Sequence, residues 1–157
     1  MSGIFNINST GPTGYTVWIA NSAVVSSTYA NNVRYIPMRH SQSDYVEFQF
    51  IAGNTGTLQL QAVYAMSSAE SNNVRLRLDT LFLASASNPT TSATTGTAFT
   101  ITPGNDTVIH TVTSSNSSDF ALSVTAGNIV YCILTRLGSD GADTHSGDLR
   151  LIEIKIA

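Results

Sequence analysis

The feature that most constrains this chain is a run in which every second residue is apolar. In Val74-Arg75-Leu76-Arg77-Leu78-Asp79, valine and leucines alternate strictly with charged residues. A helix would scatter these charges around its axis, whereas a strand sends successive side chains to opposite faces. The run therefore predicts a strand with Val74, Leu76 and Leu78 inward and Arg75, Arg77 and Asp79 outward. Tyr45 to Ile51 and Leu58 to Tyr64 alternate in the same way, with the turn Asn54-Thr55-Gly56 between them. That spacing predicts a hairpin or an adjacent sheet pair. In Thr80-Leu81-Phe82-Leu83 the alternation fails, which predicts a bulge or a covered end.

Further strand patterns follow at Ala98 to Ile101, Thr107 to Val112, Phe120 to Val124, Ile129 to Leu137 and Leu149 to Ile156. Residues 85–96 form a Ser/Thr/Ala-rich segment long enough for an exposed crossover. About eight strands between residues 44 and 157, with turn signals between them and no helical pattern, predict an all-β antiparallel sandwich.

Composition agrees. The chain has 157 residues, one domain's worth, and charged residues make up 11% against a usual ~25%. Ser, Thr and Asn, with 20, 20 and 12 copies, take their place and suit sheet faces and turns. A net charge of −3 excludes the basic footprint of a nucleic-acid or anionic-membrane binder. No stretch approaches the ~18 apolar residues of a membrane span, and no signal-peptide pattern is visible at the N-terminus. Cys132 is a lone thiol in an apolar strand, expected to be buried and inert.

Residues 1–40 differ from residues 41–157. They contain Arg34 and Arg39 but no carboxylate, and Gly11-Pro12-Thr13-Gly14 interrupts their apolar pieces. They are expected to be an extended N-terminal arm or first strands leading into the domain. Phe5, Tyr15, Trp18, Ile19 and Tyr35 would be its anchors on a partner, because aromatic residues are enriched at interfaces. Exposed aromatics also stack on sugars, and for that role Tyr15, Trp18, Tyr29, Tyr35 and Tyr45 are the candidates.

Catalytic patterns are absent. No Gly-x-Ser-x-Gly nucleophile elbow, phosphate loop or cysteine cluster occurs, and a carboxylate pair for glycoside cleavage has no support. His110 falls within a strand, where a half-buried, hydrogen-bonded histidine is expected. Asp140, Asp143, His145 and Asp148 lie in nine residues, but their spacing matches no calcium loop. Asp140, Asp143 and Asp148 are weak metal candidates, and no cofactor is expected. The favoured reading is a structural hairpin of Arg136, Asp140, Asp148 and Arg150, in which Arg–Asp pairs formed by the arginines on the flanking strands hold the loop.

The segment Gly127-Asn128-Ile129-Val130-Tyr131, Arg136, Asp140, Asp143 and Gly147-Asp148-Leu149-Arg150-Leu151 resembles the closing part of a jelly-roll-like β-sandwich of tailed-bacteriophage structural proteins. Ile36-Pro37-Met38, the strand from Tyr45 and Gly56-Thr57-Leu58 resemble its opening. The tryptophan that often follows the family's second strand is missing here. The resemblance implies a non-enzymatic virion protein. Its first form is a capsid decoration (cement) protein, a homotrimer on the outer capsid surface, made in the host cytoplasm. Its partner would be the major capsid protein, and by binding only assembled shell it would stabilise the shell. The alternative is a tail-fibre or receptor-binding protein that recognises a host-surface glycan through loops such as 85–96 and 138–147.

Overall fold

The computed structural model describes Ala20–Asn21, Ser27–Thr28 and residues 34–84, 93–113 and 120–156. These form eleven strands: β1 (Ala20–Asn21), β2 (Ser27–Thr28), β3 (Arg34–Met38), β4 (Tyr45–Ile51), β5 (Gly56–Met66), β6 (Val74–Leu83), β7 (Ala98–Ile101), β8 (Ile109–Thr113), β9 (Ala121–Val124), β10 (Ile129–Arg136) and β11 (Leu149–Ile156). A front sheet runs β1-β4-β10-β6-β7 and a back sheet β2-β3-β11-β5-β8, with β9 also on β5. All pairings are antiparallel. The two sheets pack as a jelly-roll sandwich, and among the described residues no helix is long and apolar enough to cross a membrane. The described parts of residues 1–40 pair with both sheets, β1 on β4 and β3 on β11.

Period two builds the core. From the front sheet come Val46, Phe48, Phe50, Val74, Leu76, Leu78, Val130, Cys132 and Leu134; from the back sheet, Ile36, Met38, Leu60, Tyr64, Met66, Leu149, Leu151, Ile154 and Ile156. Burial at this density is the main favourable term in the fold. Cys132 is fully buried, and burial pushes its thiol pKa up. In β11 the inward positions switch from odd to even because the register slips between Leu151 and Glu153. That bulge lets the strand bury residues on one face along its whole length.

Strand order corrects three expectations. β4 and β5 form no hairpin, because they lie in different sheets and the turn between them crosses the sandwich. β6 has no bulge, since its register with β10 is unbroken from Leu76 to Leu83. Its alternation fails because the outward positions there are Leu81 and Leu83, while Phe82, an inward position, is 39% exposed. The third correction is the proposed Arg136–Arg150 hairpin. β10 pairs with β4 and β6, β11 with β3 and β5, so residues 137–148 form an arch between the sheets.

Candidate functional site

Arg136 holds the arch. Its side chain is fully buried, and its five N–H donors all have acceptors. Nε and Nη2 grip the Asp143 carboxylate at 2.9 and 2.8 Å. Nη1 donates to the Met38 and Gly147 carbonyls at 3.0 and 2.7 Å, and Nη2 also to the His145 carbonyl at 2.8 Å. Asp143 Oδ2 accepts the Arg75 N–H as well. Every N–H donor of the Arg136 guanidinium is thus used within the chain, and none is left for a ligand.

The other acidic residues of the arch are engaged by the chain itself. Asp140 accepts the Ala142 N–H in an Asx turn, and Asp148 Oδ1 lies 3.4 Å from the His40 N–H. Arg136 thus pairs with Asp143 rather than with Asp140 or Asp148. Arg150 lies over the Tyr35 ring, 5.3 Å from its centroid. Among the described residues no three His, Cys, Asp or Glu side chains come together as metal ligands would, and Asp140, Asp143 and Asp148 each serve a separate contact.

Glu70, before β6, ties the arch down by accepting from Ser146 N–H and Oγ, Ser68 Oγ and Asn72 Nδ2. These bonds, those of Ser146 foremost, hold its pKa down at about 2. His145 is fully buried, its Nδ1 accepting the Gly147 N–H, and burial lowers its pKa. His110 is half-buried, bonds Asp106 at 2.7 Å and stacks on Tyr64.

A different arrangement occupies the outer face of the front sheet. β10 runs between β4 and β6, so their odd-numbered residues form cross-strand rows. The rows are Tyr45–Thr135–Arg77, Glu47–Ile133–Asp79, Gln49–Tyr131–Leu81 and Ile51–Ile129–Leu83. Successive rows are about 7 Å apart along the strands. One end of the face is aromatic and charged, and the other is apolar, with Ile51 and Ile129 exposed. The first two rows, with Ser43 at the rim, line an open cavity of about 400 Å³. That volume is within the range of small-ligand sites.

The cavity's polar groups are fixed unequally. Arg77 grips Asp79 through Nε and Nη2 at 2.9 and 3.0 Å, and the Gly96 N–H donates to the same carboxylate at 2.8 Å. Residue 96 reaches that position only as glycine, because a Cβ there would lie 1.9 Å from the Leu78 carbonyl oxygen. Glu47, by contrast, has no ion-pair partner among the described residues. Its neighbour is the Tyr131 phenol, whose pKa is pushed up to about 12, first by burial and then by its hydrogen bond to Glu47.

Of the residues singled out in sequence, Tyr45 lies in this cavity and Tyr35 on the back sheet beneath Arg150. Phe5, Tyr15, Trp18, Ile19 and Tyr29 lie outside the described residues. Glu47, Arg77 and Asp79 were legible only as outward strand positions. The order β4-β10-β6, which brings them together, has no signal in the sequence.

No family model matches the sequence, and no curated protein matches it. Solved structures do match its fold. A family 35 carbohydrate binding module from an environmental isolate superposes with a TM-score of 0.60 at 13% identity, covering 94% of this chain and 89% of that one. A Xyl-CBM35 in complex with a glucuronic acid containing disaccharide gives 0.53 at 12%, covering 94% and 89%. The CBM36-1 domain of a multidomain xylanase from the hindgut metagenome of Trinervitermes trinervoides gives 0.51 at 14%, covering 92% and 97%. These neighbours overturn the expectation of a capsid decoration protein. That reading leaned on a closing hairpin that is in fact an inter-sheet arch, and the whole sandwich instead has the fold of carbohydrate-binding modules.

Proposed function

We propose that this protein is a non-catalytic carbohydrate-binding module whose binding surface is the outer face of the front sheet. The observation that carries the reading is the cavity over β4, β10 and β6, where an aromatic ring, two carboxylates and a guanidinium share one open, sheet-borne surface. A sugar ring has an apolar face and an edge of hydroxyls. Tyr45 and Ile133 offer apolar surface for the first, while Glu47 and Asp79 accept, and Arg77 donates, hydrogen bonds for the second. The apolar row Ile51–Ile129–Leu83 extends the platform, so a polymer has about 20 Å of strand to lie along. Residues on adjacent rigid strands are preorganised, which limits the entropy lost on binding. The fold likeness to a module solved in complex with a glucuronic acid containing disaccharide supports the same reading.

The test is retention of the protein on a panel of immobilised plant, fungal and bacterial polysaccharides. At least one should retain it, Tyr45→Ala should weaken that retention, and no reducing sugar should be released. Failure to bind any member of the panel, or turnover of one, would overturn the proposal.

A further inference from the structure

The charges lining the cavity do not balance, and the imbalance bears on which sugars enter. Arg77 and Asp79 neutralise one another through their two-point contact. Glu47 stands without a cation among the described residues, and the Tyr131 hydroxyl is hydrogen-bonded to it. The described lining of the cavity therefore carries one uncompensated negative charge. Protein encloses part of its surroundings, so a charge brought close to it is felt more strongly than in bulk water.

Resting on the glycan-binding reading above, we infer that the cavity selects neutral sugars bearing adjacent hydroxyls and rejects uronates, with Glu47 as the specificity residue. Two arguments converge. A sugar carboxylate entering here meets Glu47 as a like charge. The one cation in the described lining of the cavity, Arg77, has its charge offset by Asp79 through two of its five N–H donors, so it returns no net positive charge to balance Glu47. A neutral diol meets neither obstacle, because a carboxylate has about four acceptor positions and two oxygens placed to receive neighbouring hydroxyls. The contrast with the related module solved with a glucuronic acid containing disaccharide is then one of specificity within a shared fold.

The experiment measures equilibrium affinity of the full chain for neutral xylan, mixed-linkage β-glucan and galactan oligosaccharides, and for xylan oligosaccharides carrying glucuronic acid. At about 20 mM salt, where screening is weak, the best neutral ligand should bind at least about ten-fold tighter than its uronate counterpart, and the gap should narrow in high salt. In Glu47→Gln, with an unchanged melting curve, the gap should fall to about two-fold. Uronate binding equal to or tighter than neutral binding would overturn the inference while leaving glycan binding intact. A gap that survives in Glu47→Gln would remove Glu47 from the specificity role. A wild-type protein that binds no sugar would overturn this inference and the proposed function together.

Discussion

Strand β10 serves two polar regions that could hardly be treated more differently. At its end Arg136 turns into the arch, fully buried, with five donors on five acceptors. Three residues back, Ile133 lies on the outer face between Glu47 and Asp79, in a cavity where one carboxylate has a cation and the other has none among the described residues. Both regions contain an arginine that forks onto an aspartate, so the motif alone does not separate them. Saturation does. A buried charge whose every partner comes from the chain is a structural part, whereas a half-exposed carboxylate left with acceptor capacity is available to a ligand.

The strongest way to break this comparison is to remove Arg136. Arg136→Ala leaves Asp143, with no side-chain exposure, as an uncompensated buried charge. Equilibrium denaturant unfolding should show a loss of about 3–5 kcal/mol. Arg136→Lys should recover only part of this, since one ammonium cannot reproduce a planar five-donor fork. A loss below about 1 kcal/mol in the alanine variant would mean that the arch is held by something else.

Next in size is Gly138→Ala, at the start of the arch. Its Cβ would lie 2.1 Å from the His40 carbonyl oxygen and 2.6 Å from that of Gln42, both backbone atoms that cannot swing aside. The Gly138 N–H also donates to that Gln42 carbonyl, so backing away breaks the bond. A destabilisation of about 1–3 kcal/mol is expected from unfolding curves.

The comparison also explains what was legible in the sequence. Alternation in Val74–Asp79 gave the right inward and outward sets, because side-chain direction in a strand depends only on parity. It failed at Phe82, where burial depends on what lies above the end of the sheet. Arg136 is readable in the sequence as a holding residue but its partner is not, since the Arg136–Asp143 pair depends on how the arch coils and leaves no trace in spacing. The cavity was harder still. Tyr45, Glu47, Arg77, Asp79, Ile133 and Thr135 come from three strands separated by long connections, and only non-local pairing joins them. The fold class rests on local pattern, while the site rests on strand order.

The cavity should respond to mutation in the opposite sense from the arch. Tyr45→Ala removes a half-buried ring from the outer face, outside the packed core. Polysaccharide affinity should drop by about ten-fold, or about 1.4 kcal/mol, with stability nearly unchanged. Equal affinity with a lowered melting temperature would erase the distinction between the two regions.

The smallest effect expected is on the arch's response to acid. His145 Nδ1 accepts the Gly147 N–H, so this nitrogen carries no proton and the neutral ring bears its hydrogen on Nε2, a buried atom with no partner among the described residues. Protonation would set an N–H against an N–H and place a charge in a fully buried position, and burial accordingly holds the pKa below 6.5. A folded-state pKa below the unfolded value means that His145 contributes its full stabilisation above pH 6.5 and loses it as pH falls through the folded value. Glu70, held at about 2 chiefly by Ser146, adds a second loss that begins below 4.5 and runs down towards 2. The melting temperature should therefore be flat just above pH 6.5 and decline in two stages as acid is added. His145→Asn keeps an acceptor near the Nδ1 position but cannot titrate, so it should flatten the upper stage and leave the lower one. Glycan affinity measured at a pH where the protein remains folded should not follow the upper stage, because His145 is outside the cavity lining. If affinity tracks His145 protonation while the fold is intact, the arch and the cavity are coupled and the separation between them fails.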